Sequence, residues 1–522
     1  MSEVTVRGLA RSSAYVNAAQ FWQMGSRLIL TPIVISSLGL EGYGAWTLVF
    51  SLCSYAVMVD AGAGWVYAKI TADHDATGDY TALSELISSG AVLVGAFCTV
   101  FCVLLWAFQS PVLTALRVEP ALIHEASRTL LILSIVVIVE ASAGCVLDVL
   151  AGLQRMDLQH RFLLIGTTIE FATTLMLLRL HAGMIALPLG LLCGGVVSIS
   201  LGWIACRQLR PMLHLSPLRA GGNGIRRVTR LGLQFQSILA INTVLAQGLR
   251  LLISRLYGLT ALAIYHLADR VLYAARTPGL AVISPLMPAF ASLHSGRRAK
   301  RWRRPFKYAL AIASVASAIP LLFAATFAGP ILFAWTGRHF SDAVWIVRTL
   351  APAEFLTLLA GVGAARLRAL GTIRLEAVTT LVGTLIALVG GAMAKPLGGF
   401  AATVAVASVG RSIAALALLD RFVVGARLRR LNALRPVVLI PLLVAPLCFL
   451  TAIAASMYGI GGAAVTRWTG LGTMLVLAIV DAIACGALVW FVAFTPRERR
   501  WILDRTRVAP RGMAVRPLKA EP

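Results

Sequence analysis

The sequence predicts an all-α polytopic membrane protein of about fourteen spanning helices, and three observations carry that reading. Of 522 residues, 58% are hydrophobic and only 13% charged. A water-soluble fold of this length cannot hide so much apolar surface. Apolar runs of about 20 residues recur from end to end, each long enough to cross about 30 Å of hydrocarbon as a helix that satisfies its own backbone. The basic residues, finally, fall on alternate connections between those runs.

Taken in order, the first two runs, at about 14–37 and 43–69, are joined by the short turn "LGLEGYGAW". The third and fourth, at about 86–108 and 127–151, flank a loop at 109–126. The fifth and sixth, at about 161–180 and 183–206, nearly abut and lead into a basic linker, 207–229, with the flexible stretch "RAGGNG". The seventh and eighth lie at about 230–254 and 261–290, and the cluster "RRAKRWRRPFK" separates them from the ninth at 306–327. The tenth to twelfth follow at about 344–366, 374–394 and 398–420. A second basic stretch, "RFVVGARLRRLNALR", precedes the last two, at about 436–457 and 469–494, and a basic tail follows.

With the N-terminus inside, one set of connections collects roughly thirty-odd basic residues. The opposite set holds Arg117, Arg179, Arg255, Arg338, Lys395 and Arg467. This bias puts both termini in the cytoplasm. It also accounts for the net charge of +25 without a nucleic-acid partner. No loop is long enough for a soluble catalytic domain, so no catalytic residue is expected and the chain reads as a non-enzyme. The start, "MSEVTVRGLARSSAYVNAAQFWQ", lacks the compact apolar core and small-residue cleavage site of a signal peptide.

The eight cysteines form no CxxC pair and have no histidine cluster beside them. They read as small core residues, with no metal site and no cofactor. "DHD" at 73–75 resembles a metal–nucleotide motif but lacks the α/β context that such motifs need.

The chain also looks duplicated. "RLILTPIVISSLGLEGYGAWTL" (27–48) and "LRLLISRLYGLTALAIYHL" (249–267) each place an arginine in a helix, then a Gly-Leu turn, then an aromatic. Two six-helix halves with a substrate path between them are what a two-fold transporter requires. The expected organisation is therefore a bundle at 1–206, the linker 207–229, a second bundle at 230–420, two added spans within 421–494 and a cytoplasmic tail at 495–522.

Charges inside spans cost about 2.5–3.5 kcal/mol each, so they tend to face a cavity or a partner. The first half holds Arg27, Asp60, Glu140, Asp148 and Glu170. The second holds Arg250, Asp269, Arg270, Arg276, Glu354 and Arg411, and Asp481 sits in the last span. Asp269 and Arg270 are adjacent, about 100° apart around a helix, and cannot simply neutralise each other. Prolines 278, 285 and 288 mark the eighth span as irregular, either as a kink or as broken helix lining a cavity.

The first seventy residues resemble the N-terminal signature of Wzx-like polysaccharide-biosynthesis flippases in the multidrug/oligosaccharidyl-lipid/polysaccharide exporter superfamily. Asp60-Ala61-Gly62 matches the family's Asp-x-Gly element, and Lys69 matches the basic residue that ends its second helix. The resemblance implies a MATE-like, V-shaped pair of six-helix bundles with two C-terminal helices. It implies movement of an undecaprenyl-diphosphate-linked oligosaccharide between leaflets of the bacterial inner membrane, with a polysaccharide polymerase and chain-length proteins as partners. A diphosphate needs cationic compensation in a low-dielectric path, which singles out Arg27, Arg250, Arg270 and Arg276. Proton or sodium coupling, common in the superfamily, directs attention to Asp60, Glu140 and Asp269. The alternatives are a drug antiporter, a lipid II flippase and a membrane polymerase or ligase. The last ordinarily needs a larger outer loop.

Overall fold

The computed structural model describes residues 6–213, 216–287, 289–290, 303–372, 374–425, 430–457 and 467–492. Every regular element among them is helical, as the apolar pattern requires. Eleven of the described helices are long and apolar enough to cross a membrane, and Val438–Ile453 is a shorter apolar helix. The expected runs overlap these helices, with two runs on each of the bent pair Ala18–Met58 and Ala240–Ile283. The chain is a multi-pass helical membrane protein.

Cα packing divides it into two compact units. The first comprises Met1–Ala274, Trp335–Ala353 and Ile373–Ala415; the second comprises Ala275–Ala334, Glu354–Thr372 and Leu416–Pro522.

The first unit begins with α1 (Val6–Thr77), which carries two of the expected spans because it folds at Gly39 (φ 74°, ψ 176°). That conformation is open essentially to glycine alone. Then come α2 (Tyr80–Ala107), α3 (Gln109–Ala115), α4 (Pro120–Ala143), α5 (Cys145–Gly152), α6 (Met156–Arg179), α7 (Ala186–Leu209) and α8 (Gly222–Ile283), the last belonging to this unit as far as Ala274. The α2 N-terminus is capped by Asp79, whose carboxylate accepts from the Ala82 N–H at 3.0 Å. Helices α3, α5 and α6 stop at left-handed Arg117, Gln154 and His181. At each stop the next N–H bonds five residues back, as in Val118 N–H to the Leu113 carbonyl, a Schellman closure.

Helices α6 and α7 cross closely because both are small where they meet. A Cβ on Gly194 would lie 2.5 Å from the Gly166 carbonyl oxygen, the close approach that small residues permit between helices in lipid.

The second unit is built on α9 (Arg303–Thr326), α10 (Ala328–Thr336) and the later part of α11 (Ser341–Ala369). Helix α12 (Arg374–Leu385), prolonged through a π turn at Ile386–Gly390, belongs to the first unit, and α13 (Lys395–Gly425) follows it. The last two helices, α14 (Arg430–Met457) and α15 (Arg467–Val492), pack in the second unit against α9. Ala318 and Ile319 of α9 meet Ile440, Val444 and Cys448 of α14 and Cys485 and Val489 of α15. Seven cysteines are buried as expected. Cys193 is exposed on α7.

The duplication is written into the backbone of the first unit. Gly258 in α8 repeats the Gly39 corner (φ 86°, ψ −177°), 219 residues later. Two side-chain contacts join positions separated by that same 219: Thr47 with the His266 ring, and Thr260 Oγ1 with Glu41 Oε1. Residues equivalent in a repeat touch each other only near a two-fold axis, so the pseudo-axis runs between the bent helices. In this register Arg27 corresponds to Ala246, and Arg250 to Thr31. The arginines of the two expected repeat strings are therefore not equivalent residues.

Candidate functional site: an arginine-lined cavity beside the pseudo-axis

A cavity of about 640 Å³, its mouth included, opens in the first unit beside that axis. Four helix segments each turn an i, i+4 polar pair towards it: Arg27 and Thr31, Tyr43 and Thr47, Glu170 and Thr174, His266 and Arg270. Residues four apart lie on one helix face, so each segment contributes a polar strip. Leu30, Val34, Trp46, Phe50, Leu187 and Leu191 fill the wall between the strips.

The site is fixed from behind by the axis contacts. Tyr43 Oη and His266 Nδ1 are 2.7 Å apart, and Thr47 Oγ1 lies 3.1 Å from the same nitrogen. Tyr43, Thr47 and His266 are all buried. The Thr31 and Thr47 hydroxyls donate to the Arg27 and Tyr43 carbonyls, four residues back.

Among the described residues, no carboxylate lies within ion-pair distance of the Arg27 or Arg270 guanidinium. The Arg270 Nε is buried without a hydrogen-bond partner. The lining thus holds two guanidiniums and one carboxylate, Glu170. Behind Glu170, on α4, stands Glu140, whose electrostatic neighbours are Glu170 and Arg27. Its carboxyl abuts Gly195 of α7, where a Cβ would lie 3.1 Å from Oε1.

The other expected residues sit elsewhere. Arg250 donates to Asp269 at 2.7 Å and to the Gln247 side-chain oxygen at 3.1 Å. Asp269 thus faces Arg250, and its neighbour Arg270, a different helix face, is left for the cavity. Arg276 belongs to the second unit and bonds buried Glu354 at 3.3 Å. Asp60 lies on α1, but its side chain is outside the described residues. Thr31, Tyr43, Thr47 and His266 went unread as site residues, although their i, i+4 spacing around the repeated Gly-Leu corner was a usable signal.

Beyond the spans, Asp75 of the "DHD" string has a structural partner. The Arg210 guanidinium reaches its two carboxylate oxygens at 2.7 and 3.1 Å, and Tyr80 donates to it at 2.8 Å. The Arg210 hydrogen bonds hold the Asp75 carboxyl below the usual range.

Residues 9–294 match the family model for polysaccharide biosynthesis proteins. No curated protein matches the chain. Among solved structures, a multidrug-resistance MATE transporter of the MOP superfamily in its inward-facing conformation is 15% identical. It aligns with a TM-score of 0.68 over 78% of this chain and 96% of its own. The lipid II flippase MurJ, inward closed, aligns at 0.66 with 10% identity over 91% of this chain and 98% of its own. A MOP-superfamily transporter from Pyrococcus furiosus, described as having a binding pocket of reversed polarity, aligns at 0.58 with 16% identity. That match covers 81% of this chain and 95% of the other.

Proposed function

Because the chain belongs to the polysaccharide biosynthesis protein family, we propose that it is a flippase and not an enzyme, and that its cargo is a lipid-linked oligosaccharide. It carries an undecaprenyl-diphosphate-linked glycan from the cytoplasmic to the periplasmic leaflet of the bacterial inner membrane, with both termini in the cytoplasm. One observation supports this cargo above a drug: two guanidiniums line a cavity in which, among the described residues, no carboxylate lies within ion-pair distance of them. A cation held within a membrane span is unfavourable without an anion to offset it, and a diphosphate is a doubly anionic acceptor suited to the Arg fork. A cationic drug would meet repulsion at the same place.

In this reading Arg27 and Arg270 bind the diphosphate, and the flanking hydroxyls take its remaining oxygens. Glu170, with Glu140 behind it, competes for Arg27. Protonation of that carboxyl pair frees Arg27 for cargo and its ionisation reclaims Arg27, so the competition makes cargo affinity fall as the pair ionises, while Asp269 is kept to its pair with Arg250. A polymerase and chain-length proteins would act on the delivered glycan.

The lipid II flippase reading shares the diphosphate, so the cavity's charge does not separate the two. The test is deletion in the native host with leaflet-resolved labelling of lipid-linked glycans. Accumulation of cytoplasmic-leaflet glycan, restored by wild type and not by Arg27→Gln or Arg270→Gln at equal protein level, is expected. Normal periplasmic glycan in the deletion strain, or full rescue by both variants, refutes the proposal. Loss of lipid II at the outer leaflet with other glycans intact favours the second reading.

A further inference from the structure

We propose that Cys448, Asp481 and Cys485 bind one thiophilic divalent cation of zinc's class between α14 and α15 in the second unit. One ligand atom from each lies within 4.8 Å of the others, and all three residues are buried. Asp481 and Cys485 are four residues apart on α15 and so share a face. Cys448 faces them from α14, with its Sγ 3.0 Å from Asp481 Oδ2, and Thr451 Oγ1 lies 3.4 Å from the other carboxylate oxygen.

The cluster sits among Ile440, Val444 and Val489, in the apolar seam that joins the last two helices to α9. A carboxylate there, 1% exposed, is costly unless charge or strong hydrogen bonds compensate it. Among the described residues, no arginine, lysine or histidine pairs with it. Its hydrogen-bonding neighbours there are a thiol and a hydroxyl. Two sulfurs and one carboxylate are a borderline-soft donor set, which suits a d10 cation and disfavours magnesium or calcium. Thr451 Oγ1 or a water supplies the fourth tetrahedral position. Bonds of about 2.3 Å to sulfur and 2.0 Å to oxygen set the ligand atoms roughly 3.5–3.8 Å apart, so the wider separations must close and the 3.0 Å Cys448–Asp481 contact must open, a side-chain adjustment across two adjacent helices.

The dication displaces both thiol protons to solvent and offsets the two thiolates, so the site keeps only the single negative charge of the ionised carboxylate, now shared with the metal, and no electron moves. Its effect is to clamp α14 to α15 at a point where apolar packing alone would leave a polar defect.

The full-length chain, purified in detergent and loaded with Co2+ alone and separately with Zn2+, provides the test after desalting. Wild type and Cys193→Ser should retain about one metal per chain, with a Co2+–thiolate absorption band and a Zn2+-dependent rise in melting temperature. Cys448→Ser, Cys485→Ser and Asp481→Asn should each retain roughly tenfold less and lose the band or the shift. If these variants do not fold, a stoichiometric thiolate band in wild type still decides in favour. No retained metal in wild type, with all eight thiols titratable in denaturant, overturns the site and leaves a protonated aspartic acid. Loss of two titratable thiols in wild type overturns it in favour of a disulfide.

Discussion

Arg270→Gln is the most direct test of the cavity's chemistry, because the structure separates its effects on binding and on stability. The Arg270 Nε is buried without a hydrogen-bond partner, and among the described residues no carboxylate pairs with the guanidinium. Removing the charge therefore breaks no ion pair in the ligand-free protein. It removes a membrane-buried cation whose presence costs about 2.5–3.5 kcal/mol on insertion scales. Against a diphosphate the variant loses one bidentate, charge-assisted contact, about 3–4 kcal/mol for two bonds. That corresponds to roughly a 100- to 1,000-fold weaker Kd. The assay is binding of undecaprenyl diphosphate to purified protein, paired with thermal unfolding of the ligand-free chain. The expected result is much weaker binding with Tm unchanged or raised. Wild-type binding removes Arg270 from the site, and a lowered Tm with weak binding makes its role structural.

Three further outcomes follow from the same geometry. Arg250→Ala should destabilise the first unit by about 1–3 kcal/mol, because it removes one partner of a partly buried ion pair held at 2.7 Å. Arg250→Met combined with Asp269→Leu should recover most of the loss, measured as Tm, and additive damage in the double variant would contradict the pairing. The depressed Asp75 carboxyl contributes stability above the ordinary carboxylate range, lost as pH falls through its lowered value. Since Arg210 and Asp75 are partly exposed, the size is about 0.5–1 kcal/mol. The Tm gap between wild type and Asp75→Asn should hold from pH 8 to 5 and close below about pH 4; a gap that widens in acid contradicts the pair. Gly39→Ala should cost about 1–3 kcal/mol through its left-handed backbone alone, since nothing lies within 4 Å of the added Cβ. Gly25→Ala, equally open but without a positive φ, should show no such loss in the same melt.

The helices were legible because hydrocarbon imposes a length and a composition on each crossing, so spacing alone located them. The cavity was half legible. Arg27 and Arg270 stood out as charges where charge is expensive. Arg250, equally conspicuous, is paired with Asp269, and sequence could not reveal this because the partners lie on opposite arms of a helix bent at Gly258. The neutral polar residues were hidden for the complementary reason. Thr31, Thr47 and Tyr43 are ordinary in membrane helices, where a hydroxyl can bond its own backbone, as Thr31 and Thr47 do.

The duplication explains why a symmetric scaffold can offer a one-sided site. The corner at Gly39 and its counterpart at Gly258 fix a common register, and in it the charged positions do not match. Arg270 corresponds to Ser51, which is buried and bonded to the Thr47 carbonyl. Arg27 corresponds to Ala246, Asp269 to Phe50, and His266 to Thr47. The backbone kept its two-fold relation while each half gained polar groups at places where the other stayed apolar or small. A two-fold set of charges would present equal fields on both sides of the axis, suited to a symmetric ligand or to none. Among the described residues, the set gathers two guanidiniums without an ion-pair partner at one cavity, which suits the proposed cargo with its single anionic linkage. Moving the charge to the equivalent position therefore tests the idea. Arg270→Ser with Ser51→Arg keeps the composition and the scaffold's symmetry but relocates the cation. Loss of diphosphate binding with a folded protein is expected, and retained binding would mean that net charge alone, without its placement, selects the cargo.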